Sequence, residues 1–251
     1  MQIQITLTPA ESKRLIAKAV VKLEEVRKAF KSGVIIIGVG TTNACVVEEL
    51  LGQKIEHERF VASMVLPKGT YIMPAENRLK EIIIRRGKIF DAKMGDVLPE
   101  LTSIDVFIKG ANAIDASGTA GVFMAGHRGG TIGRALGTLM SRGVNLIIPV
   151  GLEKFIPGSI KDIAPLAGTE KVTFSTGVPV GIMPVHGKII TELEAIQILS
   201  GAEAMMMGKG GVSGAEGAVT ILVSGGQKQL RKVRQLVETI KGESYPTIKA
   251  D

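Results

Sequence analysis

The hydrophobic residues of the chain follow two patterns, helical spacing and short unbroken apolar runs. The first helix is predicted after Thr8, where a Thr-Pro-Ala-Glu sequence forms a capping box with proline at the first helical position. Apolar residues then recur at helical spacing from Leu15 to Phe30, and Gly33 predicts a left-handed end of this helix. Its many lysines and arginines are interrupted by glutamates, which favours a solvated face over a nucleic-acid surface.

Short apolar runs predict strands that are buried on both faces of a parallel sheet. One such run is Val34–Ile37, which is followed by a glycine turn and by a helical segment that ends at Gly52. Similar strands are predicted at residues 60–66, 81–85, 105–108, 122–124 and 145–150, with a further helix at 131–141. Strands that alternate with helices in this way predict an α/β layer structure.

The pattern changes in the last third of the chain. The predicted elements there are strands at 171–174 and 181–185, a helix at 191–200, strands at 204–207 and 218–223, and a helix at 227–241. The last five of these elements have the order β-α-β-β-α, which resembles a ferredoxin-like unit. We therefore expect two domains, an α/β domain at 1–165 that binds a metabolite and a small α+β lobe at 166–251.

Composition and charge narrow the classes of partner. Of the 251 residues, 45% are apolar and 22% charged, as in a folded protein, and the formal net charge is +7. This surplus suits anionic partners, but aromatic residues make up only 4% and tryptophan is absent, which argues against base stacking on single-stranded nucleic acid. The single cysteine, Cys45, excludes an internal disulfide and a thiolate zinc cluster, and fits a reducing cytoplasm.

No targeting segment is visible at the start of the sequence, and no apolar run approaches the roughly 20 residues that a membrane-spanning helix needs. We therefore expect a cytoplasmic protein without a membrane partner. The three histidines, His57, His127 and His186, are far apart in the sequence and form no metal-ligand pattern with carboxylates, so no metal is expected.

The turn after the first buried strand, residues 38–43, reads Gly-Val-Gly-Thr-Thr-Asn. It lacks the last glycine of a dinucleotide-binding fingerprint and the Gly-Lys-Ser/Thr end of a P-loop, so neither a nicotinamide cofactor nor ATP is expected. Its hydroxyls and free amides suit a phosphate or a carboxylate at the start of the following helix. The alternative is a tight turn in which Thr41 or Thr42 only caps that helix.

Three segments resemble ribose-5-phosphate isomerases of the A type. Residues 36–51, IIGVGTTNACVVEELL, are similar to the strand–loop–helix that holds the sugar phosphate in that family. Residues 105–115, DVFIKGANAID, resemble its D-G-A-D-E signature, and residues 145–155 resemble a later strand that leads into a turn with a lysine. The resemblance covers roughly residues 30 to 160 and implies a Rossmann-like open sheet, a sugar-phosphate pocket and a homo-oligomer.

The departures from that family concern its chemistry. Lys109 and Asn112 stand where the isomerases have two carboxylates, and residues 128–135 have no carboxylate at the position of the catalytic base. Isomerisation of an aldose to a ketose through an enediol needs a base that reaches a carbon-bound proton. We therefore expect no authentic ribose-5-phosphate isomerase activity.

The candidate site is an electropositive pocket at the strand ends. Lys109 and His127 are the predicted catalytic residues, which would transfer protons. The predicted ligand-binding residues are Gly40, Thr41, Thr42, Asn43, Gly110, Asn112, Asp115, Arg128, Gly129, Gly130 and Thr131. The alternative for His127 is a loop histidine that caps a backbone group, whereas a lysine at the end of a buried strand has few other partners.

Two main hypotheses follow from this pocket. The protein binds a small phosphorylated or carboxylated metabolite and acts as an isomerase or lyase of the sugar-phosphate type, or it binds such a ligand without turnover as a sensor or regulatory subunit. Coenzyme A ester chemistry is disfavoured because the chain lacks a glutamate nucleophile in a glycine-rich turn. Nucleic-acid binding rests on charge alone.

Overall fold

The computed structural model describes residues 1–245. Its strands are β1 (Gln2–Leu7), β2 (Val34–Ile37), β3 (Ser63–Leu66), β4 (Gly69–Ile72), β5 (Ile82–Arg85), β6 (Lys88–Ile89), β7 (Val106–Ile108), β8 (Ala113–Ile114), β9 (Ala120–Met124), β10 (Asn145–Pro149), β11 (Gly181–Val185), β12 (Lys188–Ile190), β13 (Glu203–Gly210) and β14 (Ala218–Ser224). Its helices are α1 (Pro9–Val20), α2 (Glu24–Ser32), α3 (Thr41–Leu51), α4 (Met94–Val97), α5 (Gly130–Arg142), α6 (Ile160–Ile163), α7 (Glu192–Ser200) and α8 (Gln227–Ile240).

The central sheet has six strands in the order β12-β10-β7-β2-β5-β6. The first four run parallel, and β5 and β6 are antiparallel to their neighbours. Side chains of β2 alternate between two cores: Ile35 and Ile37 pack with α1, α3 and α7, whereas Ile36 packs with α4 and α5. A strand that is buried on both faces is therefore apolar at every position, as the sequence predicted. The predicted α/β class, with parallel strands in the sheet, is confirmed.

Three smaller sheets surround this layer. The antiparallel sheet β1-β14-β13 covers α1 and α8 through Leu7, Val219 and Ile221. The antiparallel sheet β11-β9-β8 lies beside α6, and β3 with β4 forms a two-stranded hairpin. Of the described helices, none is long and apolar enough to cross a membrane.

The predicted division into residues 1–165 and 166–251 does not match the strand pairing. β12 lies after the predicted boundary but is an edge strand of the central sheet, and β11 pairs with β9. The N-terminal strand β1 in turn pairs with β14, so that the first and last parts of the chain share one sheet. The predicted ferredoxin-like lobe is therefore wrong as a separate C-terminal unit, because hydrogen bonds between distant segments override the local order of elements.

The predicted single N-terminal helix is two helices. The capping box at Thr8 is present, but α1 ends at Val20 and the extended backbone of Leu23 starts α2 in a new direction. Gly33 ends α2 in an extended conformation instead of the predicted left-handed one. A Cβ atom at this glycine would lie 2.7 Å from Oδ1 of Asp105, whose carboxylate accepts a hydrogen bond from the Val34 amide at 2.7 Å. Glycine is thus needed at position 33 because the carboxylate of Asp105 approaches the backbone closely there.

The predicted strand at 171–174 is absent. This segment is irregular and exposed, and Phe174 is 82% exposed. The hydrogen bonding begins a few residues later, where Gly177 forms a bridge with Thr70 of the β3–β4 hairpin. The residues that follow this segment, 176–178, therefore hold the hairpin in place.

Candidate anion-binding site

A cavity of about 650 Å³ lies at the carboxyl ends of β2 and β7. The turns that follow these strands, the N-termini of α3 and α5, and the β3–β4 hairpin enclose it. We call it the strand-end cavity. Its volume is that of a typical small-molecule site, and its position outside the carboxyl ends of parallel strands is where open α/β sheets bind ligands.

The N-terminus of α3 forms one wall. Gly40 precedes the helix, and no side chain of the described residues caps this end, which leaves the amides of Thr41 and Thr42 available to a ligand. Asn43 holds the turn, because its Nδ2 donates to the carbonyl oxygen of Gly38 at 2.6 Å. The Oδ1 atom of Asn43 is buried and has no hydrogen-bond partner among the described residues. This end of the helix offers a partial positive charge to an anion.

The N-terminus of α5 forms a second wall. Gly129 and Gly130 have φ angles of +66° and +62°, a left-handed conformation that favours glycine. They turn the chain from the loop after β9 into the helix, and again no side chain within residues 1–245 caps the helix. Thr131 donates its hydroxyl hydrogen to Oε1 of Glu81 at 2.7 Å, which fixes the first turn. Two helix N-termini thus border one cavity.

Lys109 follows β7 and extends into the strand-end cavity. Its stem fits there because Gly38 has no side chain: a Cβ atom at Gly38 would lie 2.9 Å from Cδ of Lys109. Within residues 1–245, the one hydrogen bond of its ammonium goes to the carbonyl oxygen of Gly110 at 3.3 Å. Burial, followed by the charge of Lys154, lowers the pKa of Lys109 to about 8, while Glu81 opposes this shift.

Two further lysines line the strand-end cavity. Lys154 lies in the turn after β10 and donates from Nζ to the carbonyl oxygen of Ala111 at 2.9 Å. Lys13, on α1, places its Nζ 4.2 Å from the ring centre of Tyr245. Burial and the nearby charge of Lys154 lower the pKa of Lys13 to about 8, although Glu153 partly counteracts them.

The charged side chains that line the strand-end cavity are all basic within the described residues. Lys13, Arg78, Lys109 and Lys154 line it, and of the lining side chains within residues 1–245 none is an aspartate or a glutamate. Apolar side chains of β9 and of the hairpin form the remaining walls. This arrangement favours an anionic ligand that also carries a less polar part.

We compared the chain with family models, with curated proteins and with solved structures, and found no match. The function is therefore argued from the site itself.

Most of the predicted ligand-binding residues meet in the strand-end cavity. Those that line it are Gly40, Thr41, Thr42, Asn43, Gly110, Asn112, Gly129, Gly130 and Thr131, and Lys109, which was predicted as a catalytic residue, lines it with them. Asn112 also has a structural task, because its Oδ1 accepts a hydrogen bond from the amide of Phe123 at 3.0 Å.

Three predicted residues lie outside the cavity lining. His127 and Arg128 are exposed on the loop before α5, whereas the two glycines that follow them, Gly129 and Gly130, line the cavity. Asp115 is buried in a turn, where it accepts hydrogen bonds from Ser117, Thr119 and Ile160. Burial would raise the pKa of Asp115, but these hydrogen bonds outweigh it and lower the pKa to about 2. Its role is structural.

Sequence reasoning missed Lys13, Arg78, Lys154, Tyr245 and the β3–β4 hairpin. The sequence contained a signal for Lys154 as a site residue, because it stands in the turn after a predicted strand of the same sheet. Lys13 had none, because its helix carries several lysines and nothing local distinguishes the one that faces a cavity. Tyr245 is brought there by a long-range contact, in which its hydroxyl donates to the carbonyl oxygen of Thr41 at 3.1 Å.

Proposed function

We propose that the strand-end cavity binds a small phosphorylated or carboxylated metabolite. The observation that carries this proposal is the set of four basic side chains and two uncapped helix N-termini around one cavity that no acidic side chain lines, within the described residues. A phosphate dianion gains charge-assisted hydrogen bonds from such donors, and these are the strong ones in a partly dry site. A monovalent carboxylate satisfies fewer of them.

The finer proposal is a sugar-phosphate type of ligand in a fold of the ribose-5-phosphate isomerase A type. The resemblance of residues 36–51 and 105–115 to that family supports it. So does the mixed lining of the cavity, which offers cations to a phosphate and apolar surface to a carbon chain. Authentic ribose-5-phosphate isomerase activity is not proposed, because Lys109 and Asn112 replace the carboxylates of that chemistry.

If the protein is an enzyme, Lys109 is the residue we assign to an isomerase or lyase reaction. It lies in the cavity, and a pKa of about 8 leaves part of its amine neutral near physiological pH. His127 is not assigned such a role, because its side chain is exposed outside the cavity lining.

A non-catalytic sensor or regulatory subunit is the second candidate. The observation that favours it is the absence of an acidic side chain from the described lining of the cavity, which removes the usual carboxylate base. For either candidate, we also propose a cytoplasmic location and assembly as a homo-oligomer. Light scattering would measure the assembly.

Thermal unfolding with added anions tests the proposed function. Inorganic phosphate and ribose 5-phosphate are expected to raise Tm in a concentration-dependent manner at constant ionic strength, whereas ribose is not. Lys109→Met keeps most of the stem and is expected to reduce the response, and Lys232→Met is the control because Lys232 is exposed on α8. The absence of any stabilisation, or equal responses of the two variants, would contradict the proposal.

Phosphorus NMR of a bound sugar phosphate then separates the two candidates. Steady conversion of the ligand would identify an enzyme, whereas stable binding without conversion would identify a sensor.

A further inference from the structure

The environment of the Lys109 ammonium group differs from that of a lysine that only pairs with a negative charge. The ammonium makes no ion pair among the described residues, and its one hydrogen bond goes to the adjacent carbonyl of Gly110. The nearest acidic influence, Glu81, is already engaged by the hydroxyl of Thr131 and by Arg134. An ammonium that is partly desolvated and lacks an acidic partner tends to lose its proton.

The neighbouring groups strengthen this tendency. Lys154 carries a second positive charge in the same cavity, and the N-termini of α3 and α5 add partial positive charges. Together with burial, the charge of Lys154 lowers the pKa of Lys109 to about 8. A desolvated lysine next to another cation is a recognised arrangement for an amine nucleophile.

We propose that Lys109 forms an imine with the carbonyl group of a phosphorylated aldehyde or ketone. The inference rests on the proposed function, because the phosphate of the substrate would be held by the other cations and the helix N-termini while its carbonyl carbon meets Nζ of Lys109. The missing side chain of Gly38 leaves a channel for the lysine stem, which confines Nζ to this position.

The reaction needs only the amine and the carbonyl compound. The neutral amine donates its lone pair to the carbonyl carbon, a C–N bond forms, and the electron pair of the C=O bond moves to oxygen. A proton passes from nitrogen to that oxygen, and loss of one water molecule gives the imine. Protonation of the imine draws electrons from the adjacent carbon, which prepares an isomerase or lyase reaction.

Reductive trapping tests this proposal. The full chain is incubated at pH 7.5 with glyceraldehyde 3-phosphate as the probe and sodium cyanoborohydride, and the adduct is located by mass spectrometry of peptides. At this pH a lysine with a pKa of about 8 has roughly two orders of magnitude more neutral amine than an ordinary exposed lysine. We therefore expect one principal adduct, on Lys109, and protection by excess inorganic phosphate.

Two variants and one control sharpen the test. Lys109→Arg keeps a positive charge but cannot form the imine, so the principal adduct should disappear. Lys154→Met removes the neighbouring charge, and the pH at which trapping reaches half its maximum should rise. Lys232→Met removes an exposed lysine of α8 and should leave the adduct on Lys109 unchanged.

Failure of the inference can be told apart from failure of the proposed function. Labelling spread evenly over exposed lysines, or a principal adduct that persists in Lys109→Arg, would overturn the imine proposal; if phosphate still stabilised the protein, anion binding would stand. An adduct on Lys109 without any stabilisation or protection by phosphate would overturn the anion site, and with it the phosphorylated substrate class.

Discussion

A half-buried lysine without an acidic partner destabilises the folded state, and Lys109 is such a residue as far as the described part of the chain shows. Its pKa is lowered from 10.5 to about 8 in the folded protein, so below pH 8 the fold must hold a charge that the unfolded chain carries freely. The penalty is complete below pH 8 and vanishes as the pH rises towards 10.5. Residues that oppose stability in this way are typical of functional sites.

Replacement of Lys109 by methionine should therefore stabilise the ligand-free protein. We expect a gain of about 1–3 kcal/mol in the free energy of unfolding at pH 7, because the buried charge is removed and most of the stem is kept. The gain should shrink between pH 8 and 10.5. Chemical denaturation at several pH values measures it.

Lys232→Met is the matched control for that experiment. Its side chain is exposed on α8, so the change should stay within about 0.5 kcal/mol. A loss of stability in Lys109→Met at pH 7, relative to this control, would show that the ammonium of Lys109 stabilises the fold and would contradict its proposed environment.

At the scale of single elements, the β3–β4 hairpin is the part of the cavity that is anchored most lightly. It pairs with no other strand of the described sheets, and it is held by backbone hydrogen bonds of Thr70 with Thr176 and Val178. Its residues nevertheless form one side of the strand-end cavity. A cover with few external contacts is expected to open locally at low cost.

Gly177→Ala should detach this cover without unfolding the protein. Gly177 has a φ angle of +81°, and a Cβ atom there would lie 2.1 Å from the carbonyl oxygen of Thr70. We expect faster hydrogen exchange of the hairpin amides and an affinity for phosphate that is weaker by about 3- to 10-fold, because water enters the site. Hydrogen-exchange mass spectrometry and calorimetry measure the two effects.

Gly137→Ala is the control for the hairpin experiment. This glycine lies inside α5, and a Cβ atom there meets nothing within 4 Å, so alanine should be neutral or stabilise the helix by up to about 1 kcal/mol. If Gly177→Ala exchanged its hairpin amides at the same rate as this control, the anchoring role of the bridge would be wrong.

Strands β2, β5, β7 and β10 of the central sheet were predictable because their signals are local, whereas the short edge strands β6 and β12 were not predicted. The unbroken apolar run of β2, the glycine turn after it and the helix that follows are all visible within about 20 residues of sequence. The break at Leu23 was not, because α1 and α2 share one continuous apolar stripe and only packing against the sheet separates them. The conformation of Gly33 was predicted wrongly, because glycine is needed there to make room for the carboxylate of Asp105, which is 72 positions away in the sequence.

At the scale of the whole molecule, pairing between distant segments limited what the sequence could predict. The two-domain division failed because β1 joins β14 and β12 joins the central sheet. More of the site than of the domain division could be predicted. The reason is that the carboxyl ends of parallel strands, and the turns after them, lie at the same edge of the sheet. Lys13 and Tyr245 could not be predicted, because they reach the cavity from α1 and from the end of the described chain.

The charge of the strand-end cavity also sets the expected pH range of binding. Lys13 and Lys109 both have pKa values near 8, so both bind an anion in their protonated form and lose charge as the pH rises through that value. Anion affinity should therefore be high near neutral pH and fall above pH 8. Loss of one charge-assisted contact at this site should cost about 1.5–3 kcal/mol, which is roughly 10- to 100-fold in affinity.

Calorimetric titration of the protein with inorganic phosphate, at constant ionic strength from pH 6.5 to 9.5, tests the central claim most directly. The predicted result is one site per chain, with an affinity that falls above pH 8 and is at least about 10-fold weaker in Lys109→Met and in Lys154→Met than in Lys232→Met. Absence of binding, an affinity that is constant from pH 7 to 9.5, or equal affinities of all three variants would contradict the claim.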